Sequence, residues 1–300
     1  MPDNDHPEKW TIMKVIRWTA DYLARKGVET PRLDAEVLLS DLLGLTRVEL
    51  YLNFDRPLKS DELADYRHRV QRRAVREPVA YITGHKEFYS LDIQVSPEVL
   101  IPRPETELLV DEALFLVRER WPGTEDLKLC DLGTGSGAVA LALASELKTA
   151  CIWAVDVHPL ALAVARKNAA GHGLEKRMEF VLGDLLQPFE GAALKFHLIT
   201  ANLPYVPRWA WADMPLDVRD YEPRLGLDGG EDGLDLIRRV VAQAREYLAP
   251  QGALLLEIWP THGPEIVQLA AGFGYGRVKL VPDLAGRDRA AVLDTKESEV

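Results

Sequence analysis

Length, composition and charge restrict the kinds of protein that this chain can be. It has 300 residues, of which 47% are hydrophobic, and a formal net charge of −11. That hydrophobic fraction is enough for a packed core and excludes wholesale disorder. No run approaches the roughly 18 apolar residues that a membrane helix needs. The acidity disfavours a duplex phosphate backbone as the main partner, because proteins that bind one usually carry a basic face.

The amino terminus and the cysteines indicate a cytoplasmic protein. The first ten residues, MPDNDHPEKW, are acidic and polar, unlike a secretory signal. Only Cys130 and Cys151 occur, both inside apolar runs, and we expect two buried free thiols in a reducing compartment. We expect no metal site, no membrane contact and no direct contact with nucleic acid, and we expect a monomer.

The first 80 residues predict helices only. One helix is expected over 11–26 and a second over 32–43, because each has apolar residues at helical spacing and a glycine just beyond its end. A third begins at Ser60, the predicted cap. Its carboxyl end carries three arginines that indicate either a solvated face or a contact with RNA or an acidic partner: Arg72, Arg73 and Arg76.

The pattern changes after residue 80. The segment EFYSLDIQV alternates as paired strands do and predicts a hairpin between two domains. Strands are then expected at 127–132, 151–156, 178–184, 196–202 and 253–259, alternating with helices at 138–147, 159–170, 234–248 and 264–271. A final antiparallel hairpin should turn near Gly286. This alternation predicts a Rossmann-like α/β domain with a mostly parallel sheet.

The predicted organisation therefore has three parts. Residues 1–80 are expected to form a helical domain that recognises the substrate, 81–98 a β-hairpin linker and 99–300 the α/β domain. Ligands of such sheets bind beyond the carboxyl ends of the strands, so the residues that follow each strand carry the most information about function.

A glycine turn follows the first strand of the α/β domain. It consists of Gly133, Thr134, Gly135, Ser136 and Gly137. Glycines allow a sharp turn and a close approach of the backbone to a ligand, which would lie at the amino end of the next helix. With Ala138 the turn also satisfies the dinucleotide fingerprint, so more than one nucleotide-like cofactor fits.

Acidic residues follow the next two strands. Asp156 lies about 20 residues beyond the turn, where a carboxylate can accept hydrogen bonds from both hydroxyls of a ribose. Asp184, followed by Leu185, ends the third strand and could accept from the amino group of an adenine. Both features fit either an NAD-like cofactor or another adenosine-containing one.

An asparagine–proline segment follows the fourth strand: Asn202, Leu203, Pro204 and Tyr205. A planar amide nitrogen is a poor nucleophile because its lone pair is delocalised. The Asn202 side-chain oxygen and the Leu203 carbonyl can each accept one N–H, which aligns the nitrogen and favours its developing positive charge. Pro204 biases Leu203 toward an extended conformation, and Tyr205 offers a flat wall. The segment predicts attack of a planar nitrogen on a sulfonium methyl group, with no general base.

Motifs along nearly the whole chain give it a specific resemblance. They are YITG at Tyr81–Gly84, EF at Glu87–Phe88, IPRPETE at Ile101–Glu107, the glycine turn, NLPY at Asn202–Tyr205, EPRL at Glu222–Leu225 and DLAGRD at Asp283–Asp288. In these the chain resembles the bacterial release factor glutamine methyltransferases, the PrmC/HemK family. That family usually has two prolines after the asparagine, and here Leu203 stands at the first.

The resemblance implies a function and a set of roles. S-adenosylmethionine would bind at the glycine turn, Asp156, Asp184, Leu185 and Asn202. Pro102 and Thr106 would close over its methionine end, in a segment that otherwise fits an ordinary helix start. Asn202 to Tyr205 would hold the glutamine of the Gly-Gly-Gln motif of class 1 release factors for N5 methylation.

Four other functions fit part of the sequence. A glutamine methyltransferase for a ribosomal protein would have the same kind of asparagine–proline motif, but the RPETE segment resembles the release factor enzymes more closely. An adenine-N6 DNA methyltransferase conflicts with the net charge and with the lack of an extra DNA-reading segment. An NAD-dependent oxidoreductase would give Asn202 to Tyr205 no role. A translation-associated binding module without catalysis is the fourth.

Overall fold

The computed structural model describes residues 9–295, which form two compact units. The first unit contains the described residues up to Gly84 together with Pro215–Tyr221, and the second contains the rest. In the described residues no helix is long and apolar enough to cross a membrane.

The first unit is helical. Its helices are α1 (Ile12–Arg25), α2 (Pro31–Leu43), α3 (Arg47–Leu52), α4 (Ser60–Ala74) and α5 (Val79–Thr83), with a further short helix at Leu216–Tyr221. Apolar residues of α1, α2 and α4 form its core, among them Ile16, Leu38 and Val70. The three predicted helices are confirmed. The sequence did not predict α3, which a capping box between Thr46 and Glu49 begins.

The arginines near the end of α4 have a structural role that we did not predict. Arg73 is buried and donates to Asp34 at 2.7 Å, and Arg72 pairs with Glu77 at 2.8 Å. Arg76 donates to the Gly27 carbonyl. Arg73 is buried and bound within the helical unit, so the expectation was wrong for it. Arg72 and Arg76 are only half-buried, and for these two the expectation stays a prediction.

The second unit is an α/β domain. Its elements are β1 (His85–Phe88), β2 (Leu91–Gln94), α6 (Glu107–Arg120), β3 (Lys128–Leu132), α7 (Ala138–Glu146), β4 (Cys151–Asp156), α8 (Pro159–Gly171), β5 (Met178–Leu182), β6 (Phe196–Ala201), α9 (Asp235–Tyr247), β7 (Leu248–Glu257), α10 (Gly263–Gly272), β8 (Tyr275–Pro282) and β9 (Asp288–Thr295). Strands β3 to β9 make one sheet in the order β5-β4-β3-β6-β7-β9-β8.

The sheet is parallel from β5 to β7, and β9 runs antiparallel to both β7 and β8. The predicted fold class and the final hairpin are therefore confirmed. The strand order reverses its direction of growth between β3 and β6, which pair directly, with Leu132 opposite Ala201. This is the topological switch point of an open α/β sheet, where ligands bind.

The start of the hairpin and the burial of one cysteine differ from the sequence expectation. The hairpin begins at His85 and not at residue 81, because residues 79–83 form α5 and Gly84 ends that helix with a φ of 85°. Cys130 is buried as expected, but Cys151 is exposed. Cys151 is the first residue of β4, where the amino-terminal end of the strand meets solvent, so the expectation of two buried thiols was wrong for it.

Candidate active site

A cleft of about 250 Å³ opens at the switch point of the α/β unit. Twelve of the fourteen predicted site residues line it: Pro102, Thr106, Gly133, Thr134, Gly135, Ser136, Asp156, Asp184, Leu185, Asn202, Leu203 and Pro204. The other two, Gly137 and Tyr205, lie beside the cleft, at the N-cap of α7 and directly after Pro204.

The glycine turn between β3 and α7 needs glycine for two reasons. Gly133, Gly135 and Gly137 all have positive φ, at 67°, 55° and 83°, a conformation that costs other residues energy. A Cβ on Gly133 would lie 3.1 Å from Leu203 Cδ2, and one on Gly137 would lie 3.1 Å from Ala165 Cβ. The turn therefore packs tightly against both Leu203 and α8.

Asp131 is a buried acid beneath the turn that the sequence analysis did not select. Thr134 Oγ1 donates to Asp131 Oδ2 at 2.7 Å and Thr200 Oγ1 donates to Oδ1 at 2.8 Å. Burial, and to a lesser degree the charge of Asp156, raise the pKa of Asp131 to about 6. Because Thr200 lies on β6, this carboxyl joins the glycine turn to the strand that ends before Asn202.

Asp156 holds the backbone of two loops that line the cleft. Its Oδ2 accepts from Gly135 N–H at 2.9 Å, and its Oδ1 accepts from His158 N–H at 2.8 Å. A carboxylate has about four lone-pair positions, so each oxygen keeps capacity for another donor. The carboxylate therefore fits the two hydroxyls of a ribose without losing its contacts to the turn.

Asp184 is more exposed, and its Oδ2 accepts from Arg239 at 2.6 Å. Leu185 has a φ of 52° and is buried beside the cleft. A positive φ is unusual for leucine. The Leu185 side chain packs in the hydrophobic core with residues of β4 and β6. One charged and one apolar side chain thus lie together at the third strand end.

The asparagine–proline segment makes two side-chain hydrogen bonds within the part of the chain that the structure describes. Asn202 Nδ2 donates to Thr106 Oγ1 at 3.2 Å, which leaves Oδ1 as the end of that amide that can accept. The Tyr205 hydroxyl donates to Glu257 Oε1 at 2.6 Å. Burial and the neighbouring Glu257 charge raise the pKa of Tyr205 well above its ordinary value, so the phenol stays protonated.

Buried polar residues fix the segments around this centre. Glu222 accepts from the Ile101 N–H at 3.1 Å and from the Arg103 side chain, which holds the segment that leads to Thr106. Asn168 donates to the Ser136 carbonyl at 2.8 Å and to Gln94 O at 3.0 Å, which ties the glycine turn to the hairpin. In the sequence Glu222 stands out only as part of a motif, and Asn168 does not stand out at all, because its partners are distant along the chain.

Family models match both units. One described as the PrmC N-terminal domain matches residues 14–84, and one described as a methyltransferase domain matches residues 124–259. The second range contains the glycine turn, Asp156 and Asn202. The α/β unit is an S-adenosylmethionine-dependent methyltransferase, which decides against an NAD-dependent oxidoreductase.

Curated relatives extend the match to nearly the whole chain. The release factor glutamine methyltransferase of Geobacter sulfurreducens is 45% identical over 95% of this chain and 97% of its own. That of Moorella thermoacetica is 44% identical over 96% and 99%. The chain belongs to the release factor glutamine methyltransferase family.

Solved structures show the fold in more distant proteins. The hMettl16 catalytic domain superposes with a TM-score of 0.56 at 15% identity and covers 81% of this chain and 86% of that one. The human methyltransferase 10 domain containing protein gives a TM-score of 0.52 at 16% identity, with 70% and 90% covered. At these identities the likeness concerns the fold alone.

Proposed function

We propose that this chain transfers the methyl group of S-adenosylmethionine to the side-chain nitrogen (N5) of the glutamine in the Gly-Gly-Gln motif of class 1 peptide chain release factors. The observation that carries the proposal is the Asn202–Thr106 contact beside the glycine turn. It leaves an amide oxygen to accept from a planar nitrogen at the switch point. Family membership supports the choice of a release factor as substrate.

The residues of the cleft fit S-adenosylmethionine. The open capacity of the Asp156 oxygens suits the ribose, and the exposed Asp184 with Leu185 suits the adenine. The positive-φ glycines have no Cβ, so the backbone of the turn can approach the ligand closely. When bound, the cofactor supplies an electrophilic methyl group. Pro102 is held above this cleft by the Glu222 contacts of its neighbours and would close the methionine end.

The substrate amide would be held by oxygens of the chain. Asn202 Oδ1 and the Leu203 carbonyl each accept one N–H of the glutamine, which aligns the nitrogen and stabilises the positive charge that grows on it. The proton leaves after the new bond forms, so no side chain is needed as a base before attack. The Tyr205 ring, fixed through its hydroxyl by Glu257, forms one wall for the planar amide.

Replacement of Leu203 by proline tests whether its carbonyl is its only catalytic group. Leu203 is buried, and its Cδ2 lies against the glycine turn, so Leu203→Pro leaves a small void there. We expect a lower melting temperature but a single-turnover rate within about tenfold of the original, or about 1.4 kcal/mol. A variant that melts normally yet loses about a hundredfold in rate would show that the side chain or N–H takes part in the chemistry.

We assign recognition of the release factor body to the helical unit. Three apolar side chains in and after α3 are exposed, at 69% for Val48, 74% for Leu52 and 55% for Phe54, and such patches often mark binding surfaces. Changing all three to serine should lower kcat/KM for the intact release factor by about tenfold or more. The rate on a short Gly-Gly-Gln peptide should stay unchanged, as should both rates in the control Val267→Ser. Equal losses on peptide and protein would contradict this role.

Mass spectrometry of an unmethylated release factor tests the function itself. After incubation with the enzyme and S-adenosylmethionine, the Gly-Gly-Gln peptide should gain one methyl group on the glutamine side chain. Parallel assays on ribosomal proteins and on adenine-containing DNA separate the two rival methyltransferase functions, and methylation of either in place of the release factor would overturn the proposal. We further propose that the enzyme acts in the cytoplasm as a monomer. Light scattering can measure its oligomeric state.

A further inference from the structure

A row of three aromatic side chains leads away from the asparagine–proline segment. The centre of the Tyr205 ring lies 6.3 Å from that of Trp259, and the Trp259 ring lies 6.4 Å from that of Trp209 at an angle of 89°. Aromatic rings at such distances attract one another in tilted and edge-to-face arrangements. The three rings form a continuous apolar surface, the aromatic row, which begins at the residue that would form a wall for the substrate amide.

The aromatic row lies at the edge of the sheet where the cleft opens. Strands β6 and β7 are parallel neighbours, with Ala201 opposite Leu256. Tyr205 follows the end of β6 and Trp259 follows the end of β7, and ligands of parallel sheets bind beyond the carboxyl ends of the strands. The row therefore starts beside the reacting centre and not on a remote face of the domain.

The outer member of the row is exposed although its backbone is fixed. Trp209 is 67% exposed, in the short 3-10 helix that begins at Arg208. The Arg208 N–H donates to the Gly230 carbonyl at 3.1 Å, and the Val206 N–H donates to the Leu227 carbonyl at 3.0 Å. An indole held in solvent on a fixed backbone offers a large, rigid contact area and loses little conformational entropy on binding.

A second tryptophan of the same short helix is covered by its own neighbour. The guanidinium carbon of Arg224 lies 5.0 Å from the centre of the Trp211 ring, and Trp211 is half-buried. Single exposed apolar side chains are common on proteins. Trp209 differs because it continues a surface that reaches the site, and connected apolar patches of this kind mark binding sites.

The chemistry of the row favours a stretch of backbone without side chains as its ligand. The face of an aromatic ring carries negative charge density and attracts C–H and N–H groups. Glycine has no Cβ, so its Cα and the peptide planes on either side can approach a ring closely. The two steps of the row, of 6.3 and 6.4 Å, span at most about four residues, because an extended chain advances ~3.3–3.6 Å per residue.

We propose that Trp259 and Trp209 bind the two glycines that precede the methylated glutamine, with the outer glycine on Trp209, while Tyr205 contacts the glutamine amide. The inference rests on the proposed function, which supplies the Gly-Gly-Gln sequence, and extends it to residues that determine specificity. The row selects a substrate by the absence of side chains before the glutamine, and the amide site selects the glutamine itself.

Peptide binding to the enzyme in complex with S-adenosylhomocysteine tests the proposal without turnover. Trp209→Leu keeps an apolar side chain but removes the ring, so we expect the affinity for a labelled Gly-Gly-Gln peptide to fall about tenfold. Trp209→Phe keeps a smaller ring and should regain most of that loss. Fluorescence anisotropy measures the peptide affinities, and calorimetry should show unchanged S-adenosylhomocysteine binding in every variant.

Phe273→Leu is the control for the loss of an exposed aromatic ring. Phe273 is 41% exposed and lies between α10 and β8, at the edge of the sheet where β7 and β8 begin, opposite the cleft. The substitution should change neither the peptide affinity nor the cofactor affinity.

A peptide with alanine in place of the outer glycine shows whether Trp209 contacts that residue. The added Cβ should weaken binding to the original protein, and it should weaken binding to Trp209→Leu less, because groups in direct contact are not additive. Additive losses, or a Trp209→Leu protein that binds the Gly-Gly-Gln peptide as tightly as the original does, would overturn the proposal. A change in oligomeric state of Trp209→Leu with the peptide affinity kept would overturn it too, since it would assign the row to a second copy of this chain.

The same assays separate this inference from the proposed function. If the original protein binds the Gly-Gly-Gln peptide through Trp209 but methylates no release factor, the proposed function fails and the role of the aromatic row stands. If the original protein methylates the release factor while Trp209→Leu binds and methylates the peptide equally well, the proposed function stands and the role of the row fails. Absence of peptide binding to the original protein would likewise refute that role.

Discussion

Asn202→Ala is expected to lower the single-turnover rate of glutamine methylation by about 10² to 10³, the usual effect of removing one oriented dipole at a reacting centre. The loss should fall on the rate and not on cofactor affinity, which should stay within a few fold. The reason is geometric: the contact of the Asn202 side chain is to Thr106 through Nδ2 at 3.2 Å, so its oxygen is the part that serves the acceptor nitrogen. Single-turnover methylation at saturating cofactor, together with calorimetry, measures both quantities.

Gln268→Ala is the matched control for that change. Gln268 is an exposed glutamine of α10. The substitution removes a side-chain amide outside both the cleft and the exposed apolar side chains of the helical unit, and should leave the rate unchanged. A near-normal rate in Asn202→Ala would refute the role of Asn202. A loss confined to cofactor affinity would show that the side chain contacts the cofactor and not the substrate amide.

The sequence predicted the position of the site because strand ends in a parallel sheet share one edge. The glycine turn, Asp156 and Asn202 each follow an apolar run, and β3 lies between β4 and β6 in the sheet. The alternation of strands and helices was therefore enough to place these residues around one cleft. No knowledge of side-chain contacts was needed for that part.

The contacts that hold the site could not be predicted in the same way. Glu257 lies in a leucine-rich run that reads simply as a strand, and its partner Tyr205 is 52 residues away. Arg73 reads as part of a basic helix end, yet it is buried against Asp34, 39 residues away. A single charged residue within an otherwise apolar strand was the available signal for Glu257, because such a residue must find partners inside the fold.

Asp156→Ala is expected to weaken S-adenosylmethionine binding by about 1–3 kcal/mol, or roughly fivefold to 150-fold. Asp156 is largely buried, and its oxygens accept from the Gly135 and His158 N–H groups. The substitution removes the acceptor for the ribose and, at the same time, releases the Gly135 N–H from the conformation that suits the ligand. Asp156→Asn, which keeps one acceptor oxygen, should give a smaller loss.

Asp184→Asn supplies the comparison that makes this prediction sharp. Asp184 is the other acid at the strand ends, but its side chain is 42% exposed and its ion pair with Arg239 is in contact with solvent. Interactions of such exposed charges contribute only about 0–1 kcal/mol, so its loss should cost the cofactor affinity a few fold at most. Calorimetry on both variants at a temperature well below their melting points measures the difference. Equal losses of affinity in the two variants would mean that negative charge near the cleft is what matters, and not the hydrogen bonds of Asp156 to the turn. Unchanged affinity in a folded Asp156→Ala would contradict the assignment of Asp156 to the ribose.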